Sequence, residues 1–409
     1  MHQAETMTTL ASFDEITPPD PLAGDHGVMT DHALAGHRQW LCSAEIRYDP
    51  ATLSEHCSLR VCDVETGRWT PAFEETRSFD TASPEEIRNA SAGVRCRTRV
   101  VCAPDTGREG FYVRFDSPMG ARLLRIPETG QPQQITAAMR AFDCEQTARF
   151  DGQLVGYSGR DGHEQIVWIS PDGTTTGSLE LPGGPASGGR FLSGLTTHED
   201  SLYLTLTNKE RGFEVWKMTG TRDRHDWTLV LERGAYRYAQ NQEVLAAFAH
   251  RGDIILIAGA SPDQRSPESK FFDYQGFEVI RLSADGTYEL LAGVPRFSPQ
   301  GLLVPLSGRG PNIARDPRLE FVCGAEHAGH MVIGVSDDDG FRLWVSADGE
   351  TWQSITTEAF RTIYRVLGCR MLSHGNRLTL VMDTREVSGQ ARTRILTSAL
   401  DAESLARPG

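Results

Sequence analysis

Gly212-Phe213-Glu214-Val215-Trp216, Gly276-Phe277-Glu278-Val279-Ile280 and Gly340-Phe341-Arg342-Leu343-Trp344 are three copies of one segment, with glycines 64 residues apart both times. Aromatic and β-branched residues in so short a run argue for a strand. Each copy runs into a tight turn: Met218-Thr219-Gly220, Ser283-Ala284-Asp285-Gly286 and Ser346-Ala347-Asp348-Gly349. The same strand and turn recur at Arg60-Val61-Cys62 with Glu65-Thr66-Gly67, Leu123-Leu124-Arg125 with Glu128-Thr129-Gly130, and Ile166-Val167-Trp168 with Pro171-Asp172-Gly173. A weaker copy is Arg394-Ile395-Leu396 with Asp401. A spacing of roughly 43 to 66 residues is that of a repeat architecture with loops of unequal length.

A second hairpin precedes the first in each repeat. It shows at Phe150-Asp151-Gly152-Gln153, His250-Arg251-Gly252-Asp253 and His327-Ala328-Gly329-His330, and more loosely at His198-Glu199-Asp200-Ser201 and His374-Gly375-Asn376-Arg377. Two hairpins make four antiparallel strands, the unit of a propeller blade. The expected fold is therefore all-β: a seven-bladed β-propeller with blades near 38–79, 94–137, 141–182, 190–232, 242–293, 318–359 and 364–403. The domain expected is 38–409, preceded by an extension over 1–37. The first blade offers three convincing strands, so the extension is expected to supply a strand that closes the ring and removes an open edge.

Of the 409 residues, 39% are hydrophobic and 23% charged, which excludes wholesale disorder. No run of 18 apolar residues occurs, and Met1 to Phe13 has neither a basic nor an apolar leader segment, so a cytoplasmic location without membrane contact is expected. The net charge of −14 is spread along the chain and disfavours a phosphate backbone as partner. Eight cysteines without a CxxC pair read as reduced thiols.

Ser346-Ala347-Asp348-Gly349-Glu350-Thr351-Trp352 resembles the Asp-box of sialidases and related propellers, one residue shorter than the usual form. Its physical content is a hairpin turn in which the carboxylate accepts backbone N–H bonds and the tryptophan packs between sheets. In that family the box lies away from the active site, so it marks the fold. Ser283-Ala284-Asp285-Gly286-Thr287-Tyr288 and Ser170-Pro171-Asp172-Gly173-Thr174 are decayed copies. Arg125-Ile126-Pro127 falls on an outer strand running into a turn, where a sialidase-type arginine would point the wrong way.

His198, His250, His327 and His374 share one phase of the repeat, which scatters them around a ring. They read as turn residues that cap backbone groups in preference to converging metal ligands. Cys42, Cys96, Cys144, Cys323 and Cys369 fall near the starts of inner strands and read as small core residues. Gly308-Arg309-Gly310 does not lead a strand into a helix, so no dinucleotide site is expected. No cofactor or metal ligand set is indicated, with a structural calcium in the ring left open.

Loops joining the second to the third strand, and one blade to the next, open on the face where propellers bind ligands. The long ones here are Glu232 to Glu243, Ala260 to Gln275 and Val294 to Pro317. They carry Phe271 and Ser307 beside the candidates proper: Asp273, Tyr274, Glu243 and Arg237 for catalysis, and Tyr236, Tyr238, Phe272, Arg296, Arg309 and Arg315 for substrate binding. Rings beside acids and arginines suit an amphipathic organic ligand, with Asp273 or Glu243 as general base and Tyr274 or an arginine as donor.

Gly234-Ala235-Tyr236-Arg237-Tyr238 and Pro295-Arg296-Phe297-Ser298-Pro299-Gln300-Gly301, continuing to Pro305-Leu306-Ser307-Gly308, resemble segments of bacterial propellers related to the cylindrocyclophane-forming alkylating enzyme. The resemblance covers blades four to six. It implies a biosynthetic tailoring enzyme that couples an aromatic nucleophile to an alkylating partner through an acid, a tyrosine and an arginine at the propeller mouth. The calcium-binding amino-terminal domain of that family has no counterpart in these residues. The expected function is alkylation, cyclisation or another coupling of an aromatic or polyketide-like small molecule, by a monomer or homodimer. Two alternatives are a glycan-binding or glycoside-hydrolysing Asp-box propeller, which as a hydrolase needs two carboxylates roughly 5 to 9.5 Å apart, and a non-catalytic interaction scaffold.

Overall fold

A computed structural model describes residues 9–10, 13–17, 28–37, 39–49, 52, 54–78, 99–104, 110–117, 122–127, 133–134, 147–160, 163–169, 175–184, 190–260, 276–298, 300–304, 321–337, 340–357, 360, 363–386, 391–400 and 405. Local chemistry sets the repeating hairpin. In Asp151-Gly152, Arg251-Gly252 and Ala328-Gly329 both residues have positive φ. They join strands in two-residue loops, with Phe150 opposite Gln153, His250 opposite Asp253 and His327 opposite His330. Such turns match the right-handed twist of the strands they connect.

The strands assemble as antiparallel blades of a β-propeller. Sheet I comprises Val28–His37, Trp40–Asp49, Ser54–Asp63 and Arg68–Ser78. Sheet II comprises Arg99–Pro104, Gly110–Asp116, Arg122–Pro127 and Gln133–Gln134, and sheet III Thr147–Phe150, Gln153–Arg160, His163–Ile169 and Thr175–Glu180. Sheet IV runs through Arg190–His198, Ser201–Asn208, Glu214–Thr221 and Arg224–Leu231, and sheet V through Glu243–His250, Asp253–Gly259, Phe277–Leu282 and Tyr288–Ala292. Sheet VI holds Phe321–His327, His330–Asp337, Gly340–Ser346 and Gln353–Thr356, and sheet VII holds Ile363–His374, Arg377–Glu386 and Ala391–Ala399.

The expectation of a seven-bladed propeller of four-stranded blades is corrected. Among the described residues six sheets are four-stranded, and sheet VI carries a fifth strand, Thr9–Leu10, which pairs in parallel with Gln353–Thr356. Sheet VII reaches four strands only because Asp14–Glu15 pairs with Ala391–Ala399. The strand wanting in the first repeat is Val28–His37, at the inner position, so that sheet begins ten residues earlier than the sequence indicates. Two compact units result: 18–185 with sheets I to III, and 1–17 with 186–409 holding sheets IV to VII.

Within each unit the core lies between neighbouring sheets. In sheet IV the second strand is covered on both faces, with all eight residues of Ser201–Asn208 buried. Outer strands alternate, as in Arg224–Leu231, because one of their faces meets solvent. The repeat histidines tie one sheet to the next. His198 Nε2 lies 2.8 Å from the Gly252 carbonyl, His250 Nε2 3.1 Å from that of Ala347, and His327 Nε2 2.7 Å from that of Leu400. A carbonyl only accepts, so each Nε2 carries the proton. His327 Nδ1 faces Ser373 Oγ at 3.0 Å. Burial pushes His250 and His327 below the ordinary histidine value.

Cys323 and Cys369 lie on first strands as expected, as does Cys102, for which no position was expected, but Cys42 is on a second strand, a shift caused by the unrecognised Val28–His37. Cys96 and Cys144 lie outside the described residues. Among the described residues no helix is long and apolar enough to cross a membrane.

Candidate functional site

The segment between sheets IV and V opens with a single left-handed turn. Arg233, Gly234, Ala235 and Tyr236 have φ of 53°, 58°, 54° and 63°, and Tyr238 follows at 55°. For a residue with a Cβ this conformation costs roughly 1–2 kcal/mol. Gly234 is obligatory, since a Cβ there would stand 2.5 Å from the Asn241 carbonyl oxygen. Four backbone bonds hold the turn: Gly234 N to Phe213 O at 2.9 Å, Arg237 N to Gly234 O at 3.1 Å, Asn241 N to Tyr238 O at 2.9 Å and Phe213 N to Asn241 O at 2.8 Å.

Beneath it lies Glu278, the second residue of its strand and wholly buried. Arg296 donates from Nη1 at 2.6 Å and from Nη2 at 2.9 Å, one bond to each carboxylate oxygen. Asn241 Nδ2 adds a bond at 2.6 Å and the Val294 amide another at 3.1 Å. Arg237 Nη1 stands 3.5 Å away. Charge-assisted and bidentate pairing of this kind is what a buried carboxylate requires. Arg296 also donates through Nε to the Ala235 carbonyl at 2.7 Å, in the middle of the strained turn. One carboxylate thus binds the left-handed turn, the third strand of sheet V and the segment after its fourth strand into a single frame. Burial holds Arg237 below the usual arginine value.

The corresponding residue of sheet IV is Glu214, in the same Gly-Phe-Glu-Val run. Arg190 grips it at 3.0 Å through Nη2, the Trp216 indole donates at 2.8 Å and Asn208 Nδ2 at 3.3 Å. Burial pushes this carboxyl up, but the bonds from Arg190 and Trp216 outweigh it and leave Glu214 below the usual carboxylate range. In sheet VI the position is Arg342. The two glutamates were visible in the repeat that identifies the fold, yet a glutamate in a strand reads as a solvent-facing residue. Its recurrence at one phase was the signal.

Above the frame the surface is aromatic and apolar. Tyr238 is 49% exposed, and Phe297, Leu302 and Leu303 are 67%, 68% and 60% exposed. The last three sit on a short hairpin in which Phe297 faces Leu303, closed by Val304 N to Arg296 O at 2.8 Å and Ser298 N to Leu302 O at 2.7 Å. The Tyr236 ring lies 6.4 Å from that of Tyr288, whose hydroxyl burial pushes up to about 12.

Of the predicted site residues, Tyr236, Arg237, Tyr238, Glu243 and Arg296 fall in this region. Arg237 and Arg296 are turned inward onto Glu278. Glu243 opens the first strand of sheet V, half-buried and opposite Gly259. Phe271, Phe272, Asp273, Tyr274, Ser307, Arg309 and Arg315 lie outside the described residues. No cluster of three metal-ligating side chains forms among the described residues.

No protein-family model matches the chain, and no curated protein matches it. Among solved structures the chain is similar to the polysaccharide lyase Uly1, at 11% identity and a TM-score of 0.53 over 90% of each chain. It also aligns with the β-propeller domain of the Trilobed protease from Pyrococcus furiosus, at 6% identity and a TM-score of 0.49 over 94% of this chain and 99% of that one. A Pyrococcus horikoshii acylaminoacyl peptidase aligns at 11% identity and a TM-score of 0.47 over 90% of this chain. The chain spans about half the length of that peptidase, 52% of it being covered. At 11% identity the likeness to the lyase extends to the fold alone.

Proposed function

We propose that the face formed by 232–243 and 294–304 binds a small amphipathic organic molecule, and that the chain is a cofactor-independent coupling enzyme acting on an aromatic or polyketide-like substrate. The left-handed turn Arg233–Tyr236 carries this reading. A strained backbone persists only where its surroundings over-determine it, and such strain gathers at ligand sites. Here a wholly buried Glu278 and two arginines supply that constraint. Arg237 and Arg296 then serve as positioning residues. Tyr238 and Tyr236 are the groups that meet the ligand, with Glu243 or Asp273 as general base and Tyr274 as donor.

The test is a thermal-shift panel of phenolic and polyketide-like compounds, followed by turnover measurements with any that bind. Tyr238→Ala is expected to weaken binding about tenfold, the worth of one aromatic contact. Glu243→Gln or Asp273→Asn is expected to lower turnover by at least about 100-fold with binding kept. Normal turnover in both acid variants would sink the catalytic assignment. A second reading, a protein-interaction module, is favoured by the exposed Phe297, Leu302 and Leu303. It predicts that Phe297→Ser abolishes partner capture without changing small-molecule binding.

A further inference from the structure

His198, His250 and His327 each donate from Nε2 to a carbonyl of the next sheet, those of Gly252, Ala347 and Leu400, but His250 differs in its other nitrogen. His327 Nδ1 meets Ser373 Oγ at 3.0 Å, a hydroxyl that can turn either to give or to accept a proton. His250 Nδ1 has no hydrogen-bond partner among the described residues, and the residue is only 4% exposed. With Nε2 committed as donor, Nδ1 is a buried lone pair with nothing to accept, and it is where an added proton must go.

The groups around His250 are unsuited to that proton. Arg251 on its own turn and Arg281 on the third strand of sheet V are both cations. Glu326 faces it from the first strand of sheet VI, but Glu326 Oε1 already accepts the Gly329 amide at 2.7 Å. Asp253, opposite His250 in the ladder, and Glu289 are drawn to Arg281, at 3.8 and 2.5 Å. Burial above all keeps His250 below the ordinary histidine value; Arg251 and Arg281 add to this, and the Ala347 bond and Glu326 oppose it. The carbonyl that His250 holds belongs to the turn Ser346–Trp352, which leans on sheet V at two further points. Arg281 Nη2 donates to the Asp348 carbonyl, and Gly349 lies so close to Leu291 that a Cβ would stand 2.5 Å from Leu291 Cδ1.

We propose that His250 is an acid-sensitive latch between sheets V and VI, and that a proton taken from solvent onto Nδ1 frees the turn Ser346–Trp352 from sheet V. The imidazolium so formed has a buried N–H without an acceptor and two arginines beside it. A buried charge left unpaired is costly, so the ring turns out to water and its bond to the Ala347 carbonyl breaks. In the released state the imidazole recovers its ordinary value of about 6.5. The latch is therefore complete above that pH, and release grows by about tenfold for each pH unit below it until the closed form is protonated as well. His327 has in Ser373 an acceptor for the added proton, which makes the seam between sheets VI and VII the less sensitive of the two. Asp348 does not act in this range. Burial pushes its carboxyl up, but the amides of Thr351 and Glu350 outweigh that and hold it below the usual carboxylate range.

Hydrogen exchange of the full chain, followed by mass spectrometry at about pH 7.5 and pH 5 and corrected for the intrinsic effect of pH, tests the latch. In the unaltered chain, peptides spanning 346–352 are expected to lose protection on the order of tenfold at the lower pH, and those around Leu400 to lose less. His250→Gln keeps a donor for the Ala347 carbonyl and takes up no proton, so it is expected to hold 346–352 equally protected at both pH values. His327→Gln is expected to leave the loss at 346–352 in place. Unchanged protection of 346–352 in the unaltered chain, a fall of equal size in every peptide, or the same loss in His250→Gln overturns the proposal. The first two outcomes are read without any variant.

Discussion

Glu278 and the histidines His250 and His327 show what single side chains contribute. Removing one partner of a buried, hydrogen-bonded ion pair strands the other, which costs roughly 3–5 kcal/mol. Glu278→Ala leaves the Arg296 guanidinium buried against the Ala235 carbonyl without its counter-charge. We expect a loss of that size in urea unfolding. Gly234→Ala adds a steric conflict with Asn241 and is expected to destabilise by more than the 1–2 kcal/mol of the conformation alone. His327 titrates with a definite sign. Its folded value lies below the ordinary one of about 6.5, so its contribution is complete above that pH and is lost as pH falls through the lower folded value. The unfolding midpoint is therefore expected to drop on acidification, and His327→Gln, which can still donate to the Leu400 carbonyl, is expected to flatten that dependence.

At the scale of elements, the turn Ser346–Trp352 joins the third and fourth strands of sheet VI. Asp348 Oδ1 accepts the amides of Glu350 and Thr351 at 2.8 and 3.0 Å, and the Trp352 indole donates to the Gly349 carbonyl at 2.9 Å. Trp352 packs into the core between sheets V and VI. Trp352→Ala is expected to cost about 3–5 kcal/mol, read by chemical denaturation. These features were legible in the sequence because turn chemistry and strand alternation are local. Val28–His37 was not, since its buried Ala33 and Ala35 are small residues of low strand propensity, chosen by close packing instead of by the pleat. The Glu278 frame was hidden for a different reason. Of its partners, Arg237 and Arg296 read as separate loop residues and Asn241 gives no signal at all, and only folding brings the three onto one carboxylate.

For the molecule as a whole, the amino-terminal residues belong to the last two sheets. Phe13 packs with Phe360 at 5.3 Å, Arg394 pairs with Glu15 at 2.9 Å, and the Ile16 amide donates to the Ile395 carbonyl at 2.8 Å. Deleting residues 1–17 uncovers the strand Ala391–Ala399 as an open edge, and such edges template association. The shortened chain is expected to show a lower unfolding midpoint and concentration-dependent aggregation by light scattering.

That same pairing sets an order on biosynthesis. Glu15 is synthesised before its partner Arg394, which lies 379 positions later, so sheet VII stays incomplete until the strand Ala391–Ala399 has been made. Every earlier sheet has all its strands in hand as soon as it is translated. A nascent chain interrupted before residue 391 can build sheets I to V and seat Thr9–Leu10 on sheet VI, yet it leaves Asp14–Glu15 without its partner strand, so that pairing reports that the last strand of sheet VII has been made.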